Sequence, residues 1–324
     1  MKSYAEYLLL LDANGGLASD RDLELLAGAM LDGGIPDVEL GALLATVRSR
    51  SASVHFLRAL LAALDTRVTR WRSEERSAPV VIGCYGGAAD IPNLSALIGL
   101  LLARFDVPVL MHGPLHAERG LSTALVLREL GIMPCTQKQQ VAQELRTHRI
   151  AFVPDALLAP GLASLLALRA RLGPIPMLVT AARLVDPFDC GALAVAGAEG
   201  ARELELMRIA LAGNGARALL LRASGGEAFA NPLVRPRMEF WTCGEPHVLF
   251  EEDASQTARA AALPAPLDVR STAAWIRQAC EGTRAIPTPI VNQLAACLYA
   301  AGYCEDFNQA KALAALAKAG RHVA

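Results

Sequence analysis

The stretch IGCYGGAADIPNLSAL, Ile82 to Leu97, decides how the rest of the chain is read. It begins at the end of the β-rich run APVVIGCY (78–85), passes through Gly83, Gly86 and Gly87, and enters the apolar run after Asn93. Strand, glycine loop and helix in that order bring backbone amides close to a phosphate group. The same layout also arises for steric reasons, because glycine tolerates a sharp strand-to-helix turn. Tyr85 is a bulky residue among those glycines, and the loop itself carries little obvious chemistry.

Outward from this loop the same look repeats. DVPVLMHGP (106–114), HRIAFVPD (148–155), IPMLVT (175–180) and ARALLLRAS (216–224) read as strands. Helical segments such as 93–104, 121–131 and 200–213 separate them. Strands alternating with helices predict an α/β fold, with a mainly parallel sheet flanked by helices on both faces. Ligands in such folds sit at the carboxyl ends of strands, where the glycine loop lies. Residues 1–75 read as helices: one carries Leu23, Leu25, Leu26 and Met30, and a second starts at Asp37 with Leu40, Leu43, Leu44 and Val47. GGIP (33–36) is a turn between them, and a third helix covers about 52–68. The tail returns to helices at 271–281, about 288–301 and 306–319. The expected organisation is a small helical N-terminal domain, 1–75, joined by helices from about 160–185, and an α/β domain, 76–324, with a helical tail.

Composition narrows the function. The longest apolar stretch, Leu94 to Ala103, ends at Arg104 and is far shorter than the roughly 20 residues a membrane span needs. The N-terminal MKSYAEYLLLLDANGG reads as an amphipathic helix rather than a leader. Seven cysteines without CxxC spacing point to reduced thiols in a cytoplasm. Six histidines show no paired ligand spacing, so a structural metal is not expected, and no other cofactor is expected either. The net charge of −1 lacks the footprint of an obligate nucleic-acid binder. Yet residues 46–76 hold Arg48, Arg50, Arg58, Arg67, Arg70, Arg72 and Arg76 against Asp65, Glu74 and Glu75. The planar fork of arginine suits phosphates, although a chain-wide preference for arginine over lysine explains the excess equally well.

The wider pattern resembles the anthranilate phosphoribosyltransferase branch of glycosyltransferase family 3, from about residue 5 to 250. That family has a G-T-G-G-D loop followed by N-x-S-T. Without gaps, Gly83 falls on the first glycine, Gly86 beside the third position, and Asn93 and Ser95 on N-x-S. Tyr85 replaces a glycine, Gly87 the aspartate and Ala96 the threonine. The family's K-H-G-N-R becomes Met111-His112-Gly113-Pro114-Leu115, so the lysine that meets pyrophosphate is absent. Glu118 stands where the family has a phosphate-contacting serine, and a carboxylate there repels a diphosphate. The metal-holding Asp-Glu pair corresponds to Glu227-Ala228 in RASGGEAFANP (222–232). Arg169 matches the arginine that meets the anthranilate carboxylate. Phosphoribosyl transfer needs a chelated diphosphate leaving group, and these replacements remove its cations together.

DGGIPDVELG (32–41), GEAFANP (226–232), HG without the lysine, and IPTPIVNQLAACLYAAG (286–302) resemble a divergent branch of the same family. That resemblance implies a homodimer formed through the N-terminal helical domain, and sequence-independent nucleic-acid binding in a basic groove. The partner it implies is DNA, with RNA as an alternative, and there is no catalytic residue. Gly83, Gly86, Asn93, Ser95, His112 and Gly113 are then a vestigial phosphoribosyl-diphosphate loop. Candidate phosphate contacts are Arg48, Arg50, Arg67, Arg70, Arg72, Arg119, Arg169, Arg171, Arg183 and Arg222, each of which also reads as a solvated surface arginine. Two other readings stay open. Asn93, Ser95, His112 and Glu227 can organise a phosphorylated sugar in an enzyme with a changed substrate, though a strand-end histidine also serves simply to bond its neighbouring loop. The third reading is a purely interaction-based role, with the dimer as a scaffold.

Overall fold

The computed structural model describes residues 6, 19–49, 54–73, 75, 77–117, 119–254, 263–264 and 267–318. Arg50, Glu118 and most of the N-terminal amphipathic segment lie outside them.

Helices α1 (Asp20–Leu31), α2 (Asp37–Ser49) and α3 (Val54–Asp65) precede the sheet. The Ser19 hydroxyl caps α1 by accepting the Asp22 amide at 3.2 Å. Strand β1 (Val80–Gly83) leads into α4 (Ser95–Arg104), β2 (Val109–Gly113), α5 (Thr123–Glu129), α6 (Lys138–His148) and β3 (Ile150–Pro154). After a single helical turn, α7 (Pro160–Ala167), the turn Arg169–Leu172 and α8 (Pro176–Arg183) return to the N-terminal helices. Then come β4 (Leu193–Ala198), α9 (Ala201–Asn214), β5 (Arg217–Arg222), β6 (Met238–Thr242) and β7 (Glu245–Phe250), followed by α10 (Val269–Cys280), α11 (Thr288–Ala300) and α12 (Phe307–Lys318).

The seven strands form one sheet in the order β3-β2-β1-β4-β5-β6-β7, parallel from β3 to β5 and antiparallel at β6 and β7. The α/β expectation therefore holds. IPMLVT, however, is not a strand. It is the start of α8, with Pro176 in the first turn, where its fixed φ and missing N–H suit a helix. The strand between β1 and β5 is instead the alanine-rich LAVAGA of β4.

Alternation along the strands divides two cores. Val81, Leu110, Val153, Ala194 and Leu220 face α1–α3 and α6–α9. Val80, Ile82, Val109, Met111, Phe152, Val195 and Leu221 face α4, α5 and α10–α12. The two-residue period of a pleated strand places neighbouring apolar side chains in opposite layers. Helices α7 and α8 lie in the same core as α1–α3 and pack against them. Because the chain passes from β3 back across β1 to β4, the strand order reverses between β1 and β4. The carboxyl end of that junction is where an open α/β sheet splits its loops and binds ligands.

Candidate functional site

The loop after β1 sits at this junction, and the register brings its residues together. Gly83 pairs with His112 across β1 and β2, and the Cys84 amide donates to the His112 carbonyl at 2.7 Å. Asn93 forms the hinge into α4. Its amide nitrogen donates to the Leu121 carbonyl at 2.8 Å and to the Thr123 hydroxyl at 2.9 Å, while its oxygen accepts the Ser95 amide at 3.1 Å. All six residues of the glycine-loop set, Gly83, Gly86, Asn93, Ser95, His112 and Gly113, thus belong to one place. Asn93, Ser95 and His112 are fully buried there, and Gly113 lies tight against the Cys84 carbonyl.

The crevice is filled by the protein itself. Tyr85 points inward at 6% exposure, and its hydroxyl lies 3.0 Å from His112 Nδ1. A Cβ on Gly86 would run into the backbone of Gly226, and one on Gly87 (φ +77°) into the Arg119 carbonyl. The loop after β5 therefore presses directly on the loop after β1. Glu227 seals the contact: its Oε1 accepts the Gly87 amide at 2.9 Å, and the Arg183 guanidinium donates to the Gly226 carbonyl. Glu227 and Arg183 are 1% and 5% exposed. Burial pushes the Glu227 carboxyl up to about 7, against the pull of the Gly87 amide and of Arg183. Burial likewise pushes the His112 imidazole down to about 3, so it is neutral.

A magnesium-bound diphosphate does not fit this arrangement. The amides that would cradle it face the Gly225–Glu227 loop, and the Glu227 oxygen nearest them already holds Gly87. Among the described residues no group of three or more His, Cys, Asp or Glu stands ready for a metal ion. Met111, at the family's lysine position, points into the opposite layer under Gly99 of α4.

The arginine candidates among the described residues separate into four groups. Arg67 forms a bidentate pair with Asp32, both bonds at 2.7 Å, Arg70 pairs with Asp65, and Arg48 donates to the Leu172 carbonyl. Arg183 is buried and closes the crevice, out of reach of a surface phosphate. Arg169 is half-buried, in the field of Asp155. Arg72, Arg119, Arg171 and Arg222 are exposed; Arg72 lies 3.4 Å from Asp189, and no ion pair holds the other three among the described residues. Sequence reasoning missed Thr123 and Ser224 beside the loop, and gave Tyr85 no partner. An aromatic hydroxyl at a lost glycine was the available signal.

No family model matches the chain. The Escherichia coli (strain K12) protein YbiB, itself uncharacterized, is 30% identical over 290 residues, 88% of this chain and 90% of YbiB. Anthranilate phosphoribosyltransferase of Frankia alni is 30% identical over 176 residues, 54% of this chain and 47% of that enzyme. The crystal structure of anthranilate phosphoribosyltransferase from Thermus thermophilus shares the fold, with a TM-score of 0.77 at 22% identity over 99% of this chain and 95% of that one. The Saccharomyces cerevisiae enzyme in complex with PRPP and Mg gives 0.72 at 12% identity over 97% and 93%. With YbiB matched along nearly its whole length and the sheet order and helical region in place, this chain belongs to the anthranilate phosphoribosyltransferase-like family.

Proposed function

We propose that this protein is a non-catalytic, sequence-independent nucleic-acid binder built on the phosphoribosyltransferase scaffold, acting in the cytoplasm as a homodimer formed through its N-terminal helices. The observation that carries the non-catalytic part is the contact of Gly86 with Gly226, reinforced by Glu227 on the Gly87 amide. A leaving diphosphate needs those amides and cations facing an open crevice. Here the histidine is neutral and buried, the lysine position is a methionine in the core, and one carboxylate stands where a pair would chelate. What supports nucleic-acid binding is the set of exposed arginines, Arg72, Arg119, Arg171 and Arg222, whose forks match phosphate geometry. A dimer aligns such patches, so that a chain of net charge −1 still presents a continuous basic path. Leu25 and Val38, 55% and 83% exposed on α1 and α2, support a partner surface on the helical domain.

The test is titration of a random-sequence DNA duplex at stepped salt. Binding at low salt with a steep negative dependence on log[salt] is expected. No binding at low salt defeats the proposal.

One observation favours a second reading, an active glycosyltransferase family 3 enzyme that transfers a phosphoribosyl group from phosphoribosyl diphosphate to an anthranilate-like or other acceptor. Among the described residues, Ser95 Oγ, His112 Nε2, Arg183 Nε, Ser224 Oγ and Glu227 Oε2 are buried without a hydrogen-bond partner, all around the loop. Buried polar groups are ordinarily paired, so opening the crevice would offer these atoms to a polar ligand. Turnover of phosphoribosyl diphosphate and anthranilate with Mg²⁺ would establish that reading over the first.

A further inference from the structure

A second concavity lies at the other end of the sheet. It is a cleft of about 780 Å³ at the amino ends of β2, β3 and β4: Pro108 directly precedes β2, Arg149 directly precedes β3, and Asp189 lies just ahead of β4. Five cations line it, Arg70, Arg72, Lys138, Arg146 and Arg149, against Glu75 and Asp189. The family's phosphate loop leaves the opposite, carboxyl ends, so this cleft owes nothing to the vestigial site.

Not all five charges are available. Arg70 is held by Asp65, and Arg149 by Glu75 and by Asp106 at 2.6 Å. These three ion pairs set the walls. Arg72 is different, since its side chain is 87% exposed and, among the described residues, a long 3.4 Å contact to Asp189 is its one ion pair. Lys138 and Arg146 are exposed on α6 and carry no ion pair among the described residues. Nothing in the stability of α6 asks for Lys138. It occupies the first turn, where the helix dipole favours acids, and that turn contains none. Its backbone is nevertheless fixed, because Trp71 Nε1 donates to the Lys138 carbonyl at 3.0 Å. Lys138 and Arg146 are two turns apart on one helix face, about 12 Å by the rise per residue. That span covers three or four charges of a nucleic-acid strand at about 3.4 Å each.

We infer that this amino-end cleft seats the phosphodiester backbone of a nucleic acid, with Arg72, Lys138 and Arg146 as its phosphate contacts. The inference rests on the nucleic-acid reading above and adds the location: Arg72 comes from the arginine-rich 46–76 segment, whereas Lys138 and Arg146 lie outside it. The contacts are to backbone charge, so the cleft binds without regard to base sequence.

The test compares three proteins by fluorescence anisotropy with a labelled random-sequence duplex between about 50 and 200 mM salt: wild type, Arg72→Ala/Lys138→Ala/Arg146→Ala, and Arg119→Ala/Arg171→Ala/Arg222→Ala. The amino-end triple variant is expected to bind on the order of tenfold more weakly or worse, and to lose about 2.7 from the slope of log K against log[salt], at about 0.9 per phosphate contact. Lys138→Ala alone is expected to lose about 0.9. Wild-type melting temperatures, expected because all three side chains are exposed, exclude misfolding as the cause, and Lys138→Ala remains decisive should the triple variant be unstable. If wild type binds and the amino-end variants keep its affinity and slope, the inference is overturned while the nucleic-acid reading stands. If wild type does not bind at low salt, that reading falls and this one with it. If poly-glutamate binds as tightly as the duplex and with the same sensitivity to the substitutions, the cleft is an acidic-polypeptide surface and the inference is overturned.

Discussion

The carboxyl of Glu227 and the backbone amide of Gly87, 140 residues apart, are joined at 2.9 Å across the junction of β1 and β4. That bond ties the loop after β5 to the loop after β1, where the fold ordinarily leaves room for a ligand. His112 lies in the same enclosure, bonded to Tyr85. Two buried ionisable groups with opposite displacements give the closure a pH signature.

Burial holds Glu227 up to about 7 from an ordinary 4.5, so the folded chain keeps a proton that the unfolded chain releases. Its contribution is complete below about pH 4.5 and is lost as pH rises through about 7. Burial holds His112 down to about 3 from 6.5, so the unfolded chain keeps the extra proton. Its contribution is complete above about pH 6.5 and is lost as pH falls toward 3. Between about pH 4.5 and 6.5 the two slopes oppose each other, each about 1.4 kcal/mol per pH unit. Glu227→Gln keeps an oxygen for the Gly87 amide and removes the acid. Its stability relative to wild type is expected to rise with pH across that window, and that of His112→Gln to fall. Urea unfolding at pH 5 and 6.5 measures both, and profiles parallel to wild type would show that neither group is displaced.

Gly86→Ala places a methyl in the Gly226 backbone. Overpacking of this kind costs about 1–3 kcal/mol. Gly41, inside α2, has open space around its missing Cβ, so Gly41→Ala is expected to stabilise by about 0.5–1 kcal/mol through helix propensity alone. Denaturant midpoints moving in opposite directions for the two alanines are the expected result. Tolerance of Gly86→Ala would mean that the crevice stands open in solution.

Arg67 was a candidate phosphate contact, but its guanidinium lies over Gly28 and grips Asp32 just past the end of α1. Both side chains are partly exposed, so Arg67→Ala is expected to cost no more than about 1 kcal/mol. The salt dependence of duplex binding should be that of wild type. A shallower slope would return Arg67 to the nucleic-acid surface.

Much of this was legible in the sequence because the signals were local. The glycine loop, Asn93 with Ser95, and the strand-to-helix alternation each carry their meaning within a few residues. IPMLVT misled because a six-residue apolar run has no period long enough to separate strand from buried helix, and Pro176 belongs to a first helical turn. LAVAGA went unread because alanine and glycine are weak strand formers, and only pairing on both sides makes β4. The β6–β7 hairpin turns at Cys243 and Gly244, both with positive φ, and a cysteine there is not a usual turn signal. The closure by Gly226 and Glu227 depends on residues 140 positions away from the loop they cover, which no local pattern reports.

The deepest departure from the catalytic pattern is Met111, and it tests whether the site was dismantled one residue at a time. The Met111 side chain is fully buried, with its sulfur in the space left by the missing Cβ of Gly99 on α4. A lysine introduced here would carry its ammonium into an apolar layer of Ile82, Leu97, Val109 and Phe152. Such a charge costs several kcal/mol or gives up its proton. Met111→Lys is therefore expected to lower the unfolding midpoint sharply and to gain no affinity for phosphoribosyl diphosphate with Mg²⁺ by calorimetry. The side chain faces α4, whereas the glycine loop and His112 face the β1–β4 junction, so restoring the residue does not restore its direction. A stable variant that bound the diphosphate would show that the loops after β1 and β5 still part to admit it.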